Sequence, residues 1–294
     1  MKINSVLVVM AKPKHMQVAF KRAQEIQQAT GAHLRLVSFC WNAMCEQADV
    51  FDVSQRRAMK KEIIRAREVW LRGQVLDAKL MDADVSIEVR WTDDIAGWVS
   101  ANAPRSECDL VLKSVHHSKT LTHTPLDWQL LQQCPAPVFI AAARKRKPSG
   151  NVLAALDFRH SDRKHQALNL RVLEAAQKFA EMSDAKLHCV NVVEFSEVLS
   201  DLDIIDTRKV RRAAIDKNRE LMDALLEPFD IPKSRVHSPL GKVGQMVATT
   251  ARKVNADLLV VGTSARRNAG AVLLGNSAER ILTRTPCDVL AVHP

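Results

Sequence analysis

Tyrosine is absent from the 294 residues, and aromatic residues make up only 4% of the chain. The stacking platforms that hold single-stranded nucleic acids therefore have few parts to be built from. No apolar run approaches the roughly 20 residues that cross a bilayer. The opening MKINSVLVVMAKPK has a short buried-strand pattern without the small-residue cleavage pattern of an export signal, so a cytoplasmic location is expected. The six cysteines (Cys40, Cys45, Cys108, Cys134, Cys189 and Cys287) are scattered and form no CxxC pair. That argues against a zinc site and a disulfide framework and leaves buried free thiols as the expectation. GxSxG, GxxxxGK[S/T] and HExxH are all missing. Asp93 and Asp94 are adjacent and would face opposite ways in a strand. His116, His117 and His123, with Cys134 downstream, follow no known ligand spacing. No catalytic residue and no metal ligand is therefore assigned.

What is present is a globular composition, 47% hydrophobic and 26% charged, at a length that suits two domains better than one. The net charge of +10 divides into +3 for residues 1–143, +4 for Arg144 to Lys147, and +3 for the remainder. The run ARKRKPSG reads first as a solvated interdomain linker, covering residues 144–150, and only secondarily as a patch for polyanions. Nucleic acid is accordingly not the favoured partner.

The two halves, 1–143 and 151–294, repeat one order of elements. SVLVVMAKP matches NVLAALDFR, AHLRLVSFCW matches AKLHCVNVVE, VSIEVRW matches SRVHSPLG, CDLVLKS matches ADLLVVG, and CPAPVFIAA matches TPCDVLAVH. Between them lie helical patterns: Ala19, Ala23 and Ile26 against Leu168, Val172, Ala175 and Phe179, and Ile95 and Val99 against Val243, Val247 and Ala251. Short apolar strands alternating with amphipathic helices predict an α/β fold of two tandem doubly wound parallel sheets, five strands each, in the order 3-2-1-4-5. Ligands of such sheets bind beyond the carboxyl ends of the strands where the winding reverses, between the first and fourth strands. In the second half those ends carry Asp157 and Gly262.

The pairing of VLAALD with DLLVVGTSARRNAGAVLLGNSAERILTRTPCDVLAV resembles the universal stress protein family, and the likeness runs over both halves, more clearly over the second. The resemblance implies a Rossmann-like sheet of the adenine-nucleotide α-hydrolase type. It also implies a role in the stress response by binding or signalling, and, in ATP-binding members, a loop of pattern G-x2-G-x9-G-[S/T] with an acidic residue after the first strand. Carried over residue by residue, Gly262 and Gly275 match the first and third glycines and Asp157 the acidic position. Ala265 replaces the second glycine, and Asn276, followed by Ser277, stands where the hydroxyl residue belongs. Such a loop needs backbone N–H groups converging on phosphate oxygens at a helix N-terminus. Ala265 keeps its N–H but adds a methyl group, and Asn276 with Glu279 also fits a helix cap. Phosphate loop and capping turn both remain open, with Arg266 and Arg267 read as solvated.

In the first half the corresponding segment is three residues shorter between Asp109 and Pro135 than between Asp257 and Pro286, and it contains no glycine. Thr124 and Pro125 stand opposite Gly275 and Asn276, and Ala11 opposite Asp157, so ATP is expected in the second half only. Trp91, Trp98 and Trp128, with Met10 and Leu126, could line an apolar pocket there or pack in the core. Members of the family commonly dimerise through their last strands. PVFIAAA and DVLAVHP are thus expected to pair within the chain as a pseudo-dimer, with a homodimer as a further state. A slow ATP hydrolase using Asp157, and a nucleotide-independent scaffold for an apolar ligand or a protein partner, are the alternatives.

Overall fold

The structure is a computed structural model; it describes residues 1–47, 50–81, 84–104, 107–115, 126–144, 149–160, 162–195, 206–263, 285 and 287–293. The chain divides into two compact units, one of Lys2–Ala143 and one of Arg144–Pro294 together with Met1.

The first unit contains strands β1 (Ser5–Val9), β2 (His33–Cys40), β3 (Val85–Trp91), β4 (Leu110–Ser114) and β5 (Val138–Ala141). They lie parallel in the order β3-β2-β1-β4-β5. Helices α1 (Val18–Thr30), α2 (Val53–Asp77), α3 (Ile95–Asn102) and α4 (Leu126–Gln133) make the crossovers. Residues Val6–Val9, Leu110–Leu112 and all of β5 are buried, as continuous Val/Leu/Ile strands must be when both faces of a sheet are covered. β3 is less buried and carries charge; Arg35 of β2 reaches across to Glu88 at 2.7 Å.

The second unit repeats this plan with β6 (Asn151–Leu156), β7 (Lys186–Asn191), β8 (Val236–His237), β9 (Leu258–Gly262) and β10 (Asp288–Val292), in the order β8-β7-β6-β9-β10. Its described helices are α5 (Arg163–Met182), α6 (Thr207–Lys217), α7 (Arg219–Leu226) and α8 (Val243–Lys253). Register repeats as well: Val6 lies opposite Leu110, and Val152 opposite Leu258. The predicted doubly wound sheets and their 3-2-1-4-5 order are therefore observed. β8 is shorter than its counterpart because Pro232 and Pro239 flank it and neither can donate to a ladder.

The aspartate that opens CDLVLKS and ADLLVVG has a structural task in both copies. Asp109 Oδ2 accepts the amides of Asn4 and Ser5 at 2.7 and 3.0 Å, and Asp257 Oδ2 accepts that of Asn151 at 3.4 Å. Each pins the start of a unit's first strand to the start of its fourth, which sets the register of the two strands that flank the crevice. All six cysteines are free and buried. Burial pushes the thiols of Cys134, Cys189 and Cys287 up to about 12, so they are inert at neutral pH.

Candidate functional site

In each unit the crevice lies beyond the ends of the first and fourth strands, and in each the turn after the first strand is latched by an amide side chain. In the first unit Gln17, the N-cap residue of α1, takes the Ala11 N–H on Oε1 at 3.0 Å and donates from Nε2 to the carbonyls of Lys12 and His15. In the second, Asn169 of α5 takes the Asp157 N–H on Oδ1 at 3.0 Å and donates to the Asp157 carbonyl at 2.8 Å. Both turns are thus held open by a side chain that satisfies backbone groups left over where the strand stops.

The ends of the fourth strands differ. Ser114 occupies the position of Gly262, and its hydroxyl accepts the Ala19 amide at 2.9 Å, satisfying a donor in the first turn of α1. At Gly262, a β-carbon would sit 2.7 Å from Cγ of Leu168 in α5. A side chain at position 262 would therefore oblige the half-buried Leu168 side chain to move, independently of any phosphate.

Asp157 emerges from β6 half-buried and accepts several hydrogen bonds. Arg159 donates to Oδ1 from its backbone N–H at 2.9 Å and from Nε at 3.0 Å, and to Oδ2 from Nη2 at 2.8 Å; His160 Nδ1 lies 3.3 Å from Oδ2. Burial opposes ionisation of this carboxyl, but the hydrogen bonds and charge of Arg159 outweigh it and hold the group below the usual aspartate range. Arg159 also pairs with Glu194. Asp157 and Gly262 therefore do come together at the crevice. Ala265, Gly275, Asn276 and Ser277 lie outside the described residues, as do Arg266, Arg267 and Glu279.

In the first unit the same place is a cavity of about 430 Å³. Met10, Ala11 and Lys12 from the first turn line it, with Phe39 from β2, Lys113 and Ser114 from β4, and Leu126 from α4. Lys113 is buried and forms an ion pair with Asp127, also buried, while donating to the Ser114 carbonyl at 2.9 Å. Of the residues expected to line an apolar pocket, Met10 and Leu126 do so, whereas Trp91, Trp98 and Trp128 are not among its lining residues. Trp98 packs edge-on against Phe39 at 5.3 Å, and Trp91 Nε1 donates to Glu46. Phe39 and Arg67 are lining residues that sequence periodicity did not flag, because they enter from β2 and α2, elements remote in sequence from both strand ends. Asp94 is the N-cap of α3, accepting the Gly97 amide at 2.9 Å. His116, His117, His123, Thr124 and Pro125 lie outside the described residues. Among the described residues no group of three or more His, Cys, Asp or Glu side chains could hold a metal, and no helix is long and apolar enough to cross a membrane.

A second-unit cavity of about 520 Å³ lies beside α6, α7 and β8, and no residue of β6 or β9 lines it among the described residues. Arg211, Arg219, Asp223 and Glu227 line it with both signs of charge. It offers no convergent set of polar groups.

A sequence model of the Universal stress protein family matches residues 150–293. Universal stress protein E of Photorhabdus laumondii is 26% identical over 298 residues, covering 99% of this chain and 95% of that protein. Universal stress protein A homolog 1 of Coxiella burnetii is 33% identical over 144 residues, 48% of this chain and 94% of that protein. Among solved structures, a functionally unknown protein from Pseudomonas aeruginosa PAO1 superposes with a TM-score of 0.73 at 25% identity, covering 99% of this chain and 93% of that one.

Proposed function

The chain belongs to the universal stress protein family, and from that premise we propose that it is a cytoplasmic ligand-binding protein of the stress response whose two units take different ligands. The first unit accepts a small molecule in the cavity beyond β1 and β4, and the second an adenine nucleotide above Asp157 and Gly262, held by the loop containing Ala265, Gly275, Asn276 and Ser277. The observation that carries this reading is the first unit's cavity. It occupies the place where open α/β sheets bind ligands, it is of small-molecule size, and its rim has Ala11 and Ser114 where the second unit keeps Asp157 and Gly262.

For the second unit the support is the sequence of the loop and the retained residues at the two strand ends. Turnover is the less favoured reading. A carboxylate held ionised by Arg159 is a weak base at neutral pH, so Asp157 is poorly suited to activate water.

Native mass spectrometry of the full chain tests the division. With ATP added, one nucleotide per chain is expected, and none after Gly275→Val. In Ala11→Trp, which fills the first cavity, ATP binding is expected to persist while any small molecule retained from purification disappears. Nucleotide retained by Gly275→Val, or lost in Ala11→Trp alone, would overturn the assignment.

A further inference from the structure

We propose that the first unit's cavity is selective for an apolar monoanion, a carboxylate or similar acid group on a hydrocarbon or aryl body, with Arg67 as the residue that reads the charge and Lys12 as its auxiliary. This rests on the reading of that cavity as a ligand site and adds the chemical class of what enters it.

The walls supply the apolar half of the argument. Met10, Phe39, Leu126 and Ala141 form apolar surface, and Met16 stands at the rim with 70% of its surface exposed. An exposed methionine beside a cavity offers soft, adaptable surface to a hydrocarbon chain. An inorganic anion or a sugar would gain nothing from these walls.

The charged lining supplies the other half. Lys12, Arg67 and Lys113 line the cavity together with His15, and among the described residues no Asp or Glu does. Lys113 is already balanced by Asp127. Arg67 is not balanced: its Nη1 donates to the hydroxyl of Ser38 at 3.2 Å, and its guanidinium lies 5.6 Å from the centre of the Trp70 ring. Both partners are neutral, and among the described residues no carboxylate forms an ion pair with Arg67 or Lys12. A guanidinium cannot shed its charge, and a partly buried one is stabilised by an anion. Its planar fork matches the two oxygens of a carboxylate, and the bond is stronger for being charge-assisted. A nucleotide fits less well, because the hydroxyl of Ser114 is occupied by the Ala19 amide and the first-half segment opposite the phosphate loop has no glycine.

Isothermal titration of the full chain with octanoate and with 1-octanol tests this, the two probes differing in charge and sharing the hydrocarbon body. Octanoate is expected to bind about tenfold more tightly, as one charge-assisted hydrogen bond allows. Arg67→Gln should bring octanoate down to the level of 1-octanol and leave 1-octanol unchanged, and Arg67→Lys should keep part of the preference. Lys12→Gln, at an exposed position, should reduce the preference without touching the fold, and it carries the comparison if Arg67→Gln weakens both probes alike. Equal affinities for the two probes in the unaltered chain would overturn the charge selectivity and leave the cavity as an apolar site. A preference that survives both Arg67→Gln and Lys12→Gln would overturn the roles given to these residues, and no binding of either probe would overturn the cavity reading itself.

Discussion

Gly262 has two claims on it, one from the loop that follows and one from the helix in front. The helix claim can be isolated. Adding a β-carbon 2.7 Å from Leu168 Cγ obliges that side chain to shift, so Gly262→Ala should cost about 1 kcal/mol in urea denaturation. Leu168→Ala in the same chain removes the side chain that the added β-carbon meets, and the double variant should recover part of the loss, with a coupling of about 0.5–1 kcal/mol. Strict additivity would show that the contact does not constrain residue 262. His188 and His237 offer a second local test. Their rings lie nearly parallel, at 9°, with Nδ1 of His188 3.1 Å from Nε2 of His237. Burial, then the nearby His237, Arg235 and Lys186, push His188 down to about 4, while burial and Lys253 lower His237. A histidine depressed in the folded state is protonated more readily when unfolded. Stability should therefore be full above the ordinary histidine value of about 6.5 and fall with pH from there to about 4. Asp157, also depressed, loses its contribution only below the usual aspartate range. Thermal melts from pH 7 to 4 should thus show a slope that His188→Gln reduces; a slope untouched by that change would assign it to other groups.

The strands and helices were largely readable in the sequence, and the reasons are local. β1, β4, β9 and β10 are nearly pure apolar runs, and α5 presents Val172, Ala175, Ala176 and Phe179 on one buried face. The contacts between elements were not readable in the same way. Periodicity marked Lys113 only as one residue of CDLVLKS, yet its ammonium lies buried against Asp127 and ties β4 to α4 at the floor of the cavity. Asp127→Asn would leave that ammonium buried beside a neutral group, and a loss of about 3–5 kcal/mol in chemical denaturation is expected. Lys113→Met combined with Asp127→Leu should recover most of it, and a double variant as unstable as the single one would contradict the ion-pair account. The helices also relocate much of the charge. Helices α2 and α6 occupy corresponding places in the two repeats, and each carries a net charge of +4 in sequence, as much as the basic run at 144–147. α2 buries only Leu71 and Val75, and α6 buries no residue. Apart from Arg67, which enters the first unit's cavity, their cations lie mostly toward solvent, as charged faces of surface helices usually do.

Comparing the two copies with each other separates what the fold needs from what a ligand needs. The aspartates at 109 and 257, the latches Gln17 and Asn169, and the register of the first and fourth strands recur in both, and each is explained by backbone hydrogen bonding. At the crevice the two copies differ in Ala11 against Asp157 and Ser114 against Gly262, and the first unit holds there a cavity with unbalanced cations. The sequence located that divergence because corresponding positions could be aligned. It could not reveal Arg67, which enters from α2, or the closeness of Leu168 to Gly262, because both depend on contacts made only after folding. The proposed division of ligands between the units is tested most directly by isothermal titration of ATP into the full chain with and without saturating octanoate. One ATP per chain, bound with the same affinity in both titrations, is the predicted result. Two ATP per chain, or an affinity that falls as octanoate is added, would contradict it.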